Sequence, residues 1–109
     1  MVTIDPAQNY VVIINVFDVD PANAEEFAQV ASRDVEEHIG KLPGFVSSNF
    51  HVSLDQRHVA NYAQWRSKAD LDAFEADPES IARMKKHSAL VLKSNPIPFE
   101  LRTSIEPAA

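Results

Sequence analysis

Residues Tyr10 to Val19 read YVVIINVFDV, a β-branched run with Asp-Pro on either side, which predicts a strand. Its two faces are Val11, Ile13, Asn15, Phe17 and Val12, Ile14, Val16. Both are apolar, whereas a strand wetted on one side alternates apolar with polar residues. This strand is therefore expected in the middle of a sheet that is covered on both sides. Next, Asp20 suits a helix N-cap and Pro21 the first helical position. Ala24, Phe27, Val30, Ala31, Val35, His38 and Ile39 recur at three- and four-residue spacing, the apolar stripe of a helix. Gly40 is placed to end that helix in the left-handed conformation, and Pro43-Gly44 to turn the chain.

Phe45 to Ser53 predicts a second strand, with Phe45, Ser47, Asn49 and His51 on one face and Val46, Ser48, Phe50 and Val52 on the other. Asp55-Gln56-Arg57 makes the turn, without the glycine of the tightest hairpins. Val59 to Trp65 is the third strand, aligning Val59, Asn61, Ala63 and Trp65. Ser67 with Asp70 resembles a capping box, and Leu71 and Phe74 mark a short helix interrupted at Asp77-Pro78. From Pro78 a further helical stretch should turn Ile81, Met84, Ser88 and Val91 or Leu92 inward. Pro96 and Pro98 confine the last element to a sheet edge, with Phe99, Leu101 and Thr103 alternating as its strand.

The order is βαββαβ, an α+β fold of ferredoxin-like type with a four-stranded antiparallel sheet, its second helix kinked or split. Two helices cover one face of such a sheet. The first strand is apolar on both faces, so the remaining face calls for a second copy packed sheet to sheet about a two-fold axis. A homodimer is expected on that ground.

Composition narrows the chemistry. The 109 residues fit a single domain, 1–109, and the net charge is −6 with no basic run longer than Lys85-Lys86. Such a surface repels phosphate, which argues against nucleic acid and anionic membranes as partners. The absence of cysteine removes disulfides, thiolate metal sites and a thiol nucleophile. Tyr10 to Phe17, the longest apolar stretch, is broken by Asn15 and too short to span a bilayer. The start of the chain has neither a basic segment nor an apolar run, so cytoplasmic residence is expected. With Gly40 and Gly44 as the only glycines, no phosphate-cradling loop exists. His38, His58 and His87 lack metal-site spacing.

Asn61 and Trp65 lie four apart on one strand face, roughly 13 Å along it. An amide can donate or accept and an indole only donates. Together they can hold a phenol or ketone oxygen and stabilise charge developing there. The pattern is equally met by a core tryptophan and an asparagine bonded to neighbouring backbone. Asn15 interrupts an apolar strand and needs partners if buried. His51, near a strand end, is an imidazole, a side-chain type able to take a proton at neutral pH.

The segment PGFVSSNFHVSLDQRHVANYAQWRSKADLDAF, Pro43 to Phe74, continuing through Ala76 to Ser80, resembles the antibiotic biosynthesis monooxygenase family. The opening DPAQNYVVIINVFDVD also fits. Asn61-Tyr62-Ala63-Gln64-Trp65 is similar to the third strand of the cofactor-free monooxygenases of aromatic polyketide pathways. The resemblance implies a dimeric α+β barrel that oxidises a small phenolic or hydroquinone compound to a quinone with O₂, without a cofactor. It implies Asn61, Trp65 and His51 as catalytic residues, and Asn15, Arg83 and Phe74 as substrate-binding ones. Haem-degrading members carry tryptophan and histidine where this chain has Phe74 and Arg83, with His87 one turn later, which argues against haem breakdown. A binding or stress-response module of the same fold is the alternative of a different class.

Overall fold

A computed structural model describes residues 2–108. Four strands, β1 (Val11–Asp18), β2 (Phe45–Val52), β3 (His58–Trp65) and β4 (Lys93–Glu100), form one antiparallel sheet in the order β2-β3-β1-β4. Helices α1 (Ala24–Glu37), α2 (Lys68–Glu75) and α3 (Pro78–Lys86) pack on one face. The element order is the predicted one, with the second helix split at Asp77-Pro78, and β1 is internal as its two apolar faces require. No helix among the described residues is long and apolar enough to cross a membrane.

Local chemistry explains most of the helix starts. Asp20 Oδ1 accepts the Ala22 N–H at 2.9 Å, but it caps a 3₁₀ turn, Pro21–Asn23, and α1 itself begins only at Ala24 with no side-chain cap. Ser67 Oγ accepts the N–H of Asp70 at 3.1 Å, and Asp77 Oδ2 accepts that of Ser80 at 2.9 Å. Each satisfies a donor that the first turn leaves free. The inner faces of β1, β2 and β3 meet α1 and α2 in two apolar clusters. One is built on Val19, Ala24, Phe27 and Val59, the other on Ile39, Trp65 and Leu71.

Four expectations need correction. Gly40 lies in a single 3₁₀ turn, Ile39–Lys41, and is not left-handed; of the two glycines only Gly44 is, at φ +81°. Gly40 is needed for space instead, since a Cβ there would sit 2.8 Å from the Val35 carbonyl oxygen. On α3 it is Ser80 that is buried, while Ile81 is exposed. The cause is Asp77, which binds both the N–H and the hydroxyl of Ser80 and also His38 Nε2 at 2.6 Å. That clip draws the Ser80 side of the helix against α1. The last strand begins at Lys93 and runs through Pro96 and Pro98 rather than following them. It is an edge strand, where alternate nitrogens point away from the neighbour and proline is tolerated.

The fourth correction reverses part of β2. Its register against β3 shifts between Phe45 and Ser47, so that Phe45 pairs with Trp65 but Ser47 pairs with Gln64. This bulge puts Phe45, Ser48, Phe50 and Val52 on the helix side and turns Ser47, Asn49 and His51 to the other. On that outer face, Val16, Ile97 and Phe99 are 41–45% exposed.

Candidate active site

Between the helices and the inner face of the sheet lies a cavity of about 540 Å³, inside the roughly 300–1,000 Å³ span of small-molecule sites. Phe17, Phe27, Phe45, Phe50, Trp65 and Phe74 supply much of its wall. Trp65, only 1% exposed, is held at fixed geometry. Phe74 stacks on it at 5.0 Å between ring centres, and Phe45 meets it edge-on at 5.5 Å.

Polar groups interrupt this wall at defined points. Asn15 and Asn61 stand directly opposite one another on β1 and β3, and both border the cavity. Asn61 Oδ1 accepts the Ser48 hydroxyl at 2.7 Å and the Asn49 backbone N–H at 3.2 Å. Asn15 Oδ1 accepts the Asn95 N–H at 3.0 Å. A backbone N–H can only donate, so both amide oxygens are spoken for and both NH₂ groups are left over. Neither amide nitrogen nor the Trp65 indole nitrogen is bonded to protein among the described residues. None is an enclosed, unsatisfied atom either, so all three nitrogens keep accessible surface on residues that line the cavity. The site therefore presents three N–H donors in an apolar surround, an arrangement that favours an oxygen bearing negative charge.

Across the cavity, α1 supplies Asp34, 8% exposed, and the residue just past the end of α3 is His87. Asp34 Oδ2 lies 2.9 Å from His87 Nε2, and Asp34 Oδ1 lies 3.3 Å from Arg83 Nη1. Of the residues expected from the sequence, Asn15, Asn61, Trp65 and Phe74 thus share one cavity. His51 and Arg83 do not border it. The bulge in β2 leaves His51 exposed on the outer face, paired in register with Ala60. Arg83 is turned to Asp34, to Glu79 at 3.1 Å and to Glu37 at 3.9 Å. Three carboxylates hold it, so it is not a free cation for a bound phenolate.

Met84, Ser88, Val91 and Leu92 line the cavity as their inward spacing predicts, whereas Asp34, Ser48 and His87 were missed as lining residues. For Asp34 the signal was present: it falls three positions after Ala31 and seven after Phe27, within the apolar stripe of α1. His87 is the imidazole that borders the cavity among the described residues. Its Nε2 faces Asp34, which leaves Nδ1 as the other ring nitrogen. Among the described residues no three acidic or imidazole groups gather as a metal site. The strongly shifted carboxyl, Asp77, lies outside the cavity. Its hydrogen bond with His38, and further bonds from Ser80, hold its pKa down at about 2.

Comparison with known proteins places this architecture. Residues 10–86 match the antibiotic biosynthesis monooxygenase family. The chain belongs to that family. It is 45% identical over 78 residues to the tetracenomycin-F1 monooxygenase of Streptomyces glaucescens, covering 72% of this chain and 70% of that one. The monooxygenase from ActVA-Orf6 of Streptomyces coelicolor, solved with nanaomycin D, superposes with a TM-score of 0.85 at 33% identity, covering 95% of this chain and 96% of that one. SnoaB of Streptomyces nogalater, a cofactor-independent oxygenase, gives 0.72 at 24% identity over 91% of this chain and 99% of its own, and supports the fold alone.

Proposed function

We propose that the protein is a cofactor-independent monooxygenase that converts a phenolic aromatic compound to a quinone with O₂, and that it acts as a homodimer. The observation that carries this reading is the set of three N–H groups, from Asn15, Asn61 and Trp65, without protein acceptors at one apolar cavity. An anthrone, in which a ring CH₂ lies opposite a ring carbonyl and whose enol tautomer is a phenol, becomes electron-rich when deprotonated and can itself reduce O₂. The protein then has to bind it, orient it and stabilise the anion. The overall change is R₂CH₂ + O₂ → R₂C=O + H₂O. The carbon gives up four electrons and O₂ takes four, so no external reductant is needed. The relatives named as monooxygenases support the reaction class, and the donor set supports the phenolic substrate.

The homodimer is supported by Val16, Ile97 and Phe99, which lie exposed together on the outer face of the sheet. An apolar face of this kind favours an isologous partner. The test of function is to supply dithranol, a dihydroxyanthrone, to protein treated with a chelator, and to follow quinone absorbance against a protein-free control. Quinone formation above the control that collapses in Trp65→Phe and Asn61→Ala is expected. Formation no faster than in buffer removes the proposal.

A further inference from the structure

We propose that His87 is the proton-accepting base of the cavity and that Asp34 is its positioning residue, an inference that rests on the oxygenase reading above. Oxidation of a neutral phenol by O₂ is slow until its proton is removed, so a base must reach the phenolic O–H. His87 is the imidazole that meets this need among the described residues bordering the cavity. His51 is on the wrong face of the sheet, and His38 and His58 face Asp77 with Glu79 and Asp18 respectively.

Position supplies the rest. In this proposal Nε2 carries the ring proton towards Asp34 Oδ2, 2.9 Å away, and the Nδ1 lone pair is the acceptor. Asp34 sits on α1 and His87 just past the end of α3, so the pair ties together two elements that close the cavity. Arg83 Nη1 lies 3.3 Å from Asp34 Oδ1 and gives this buried carboxyl a cationic partner. Arg83 therefore acts one residue removed from the substrate. The other ionisable groups bordering the cavity are Glu75 from α2 and Lys93 from β4, and Glu37 and Glu79 face Arg83.

The proton accounting closes. His87 Nδ1 takes the phenolic proton, and the ring anion adds O₂ at carbon to give a peroxide anion. The imidazolium returns its proton to the terminal oxygen. The same nitrogen then removes the C–H proton as the O–O bond breaks, and hydroxide departs with that proton as water. A carboxylate beside Nε2 stabilises the imidazolium at both stages, as a group that orients a catalytic base does.

Two measurements separate this inference from the reading on which it rests. Without oxygen, wild-type protein should bind dithranol as its coloured anion, and His87→Ala should bind it neutral. In air, His87→Ala should lose roughly 10²–10⁴ in kcat, with partial rescue by added imidazole or higher pH. The rate of the wild type should rise with pH as the imidazole loses its proton, and Asp34→Asn should displace that limb and lower kcat rather than merely raise KM. Arg83 keeps Asp34 paired in His87→Ala, so that variant retains its buried ion pair. Equal anion formation in wild type and His87→Ala, or equal kcat, overturns the inference. Anion formation without quinone in air overturns the oxygenase reading and leaves the base in place.

Discussion

Asn61 offers the sharpest perturbation because its two amide atoms do different work. Oδ1 is structural, accepting from Ser48 and Asn49, while Nδ2 is directed to the cavity. Asn61→Asp retains an acceptor for both donors but replaces the NH₂ with a second carboxyl oxygen, whereas Asn61→Ala deletes both amide atoms. Loss of one donor to a developing oxyanion costs about 10²–10³ in kcat, or about 2.7–4 kcal/mol of transition-state stabilisation. The Asp variant should show at least that loss, since its carboxyl also repels the oxyanion, with its melting temperature within about 4 °C of wild type, the shift that about 1 kcal/mol makes in a domain of this size. The Ala variant removes two hydrogen bonds worth about 0.5–1.5 kcal/mol each. Ser48 borders the cavity and can turn to water there, so the lower end applies and a drop of roughly 4–8 °C is expected. Quinone formation from dithranol and thermal melting by circular dichroism read the two effects separately. An Asp variant with wild-type kcat would refute the assignment of Nδ2 as a donor to the reacting oxygen.

Other outcomes follow from the same structure. Wild-type protein at micromolar concentration should sediment at twice the 12.1 kDa chain mass, and Ile97→Lys with Phe99→Glu should return it to the chain mass; a wild-type monomer removes the homodimer. Asp77 has a folded pKa lowered from 3.8 to about 2 by His38 and Ser80, so its contribution to stability is present above pH 3.8 and fades as pH falls towards 2. Urea titrations across that window should show a shallower acid loss in Asp77→Asn, and identical slopes would contradict the clip. Gly44→Ala forces a side chain into a left-handed position, at about 1–2 kcal/mol, and against Asp70. A melting temperature at least about 4 °C lower is expected, and an unchanged one would show that the turn relaxes freely.

Much of the fold was legible because local signals agreed with one another. The doubly apolar run of β1 located the centre of the sheet, and Ser67 and Pro78 marked helix starts by residue chemistry alone, while Asp20 marked a 3₁₀ turn three residues ahead of α1. Of the candidate site, Asn15, Asn61, Trp65 and Phe74 followed from alternation and family resemblance. What escaped was set by single long-range events. One extra residue near Val46 inverts every later position of β2, and period-two reading has no means of placing a bulge. The rotation of α3 depends on Asp77 meeting His38, thirty-nine residues away. Asp34 and His87 are 53 positions apart, and only the packing of α1 beside α3 makes them neighbours.

The most direct test of the account is incorporation of isotopically heavy dioxygen during dithranol oxidation by chelator-treated protein. One heavy atom in the quinone and the other in water, with a rate above the protein-free control, is the predicted result. A quinone whose new oxygen comes from solvent, or a rate that vanishes once metals are removed, would contradict it.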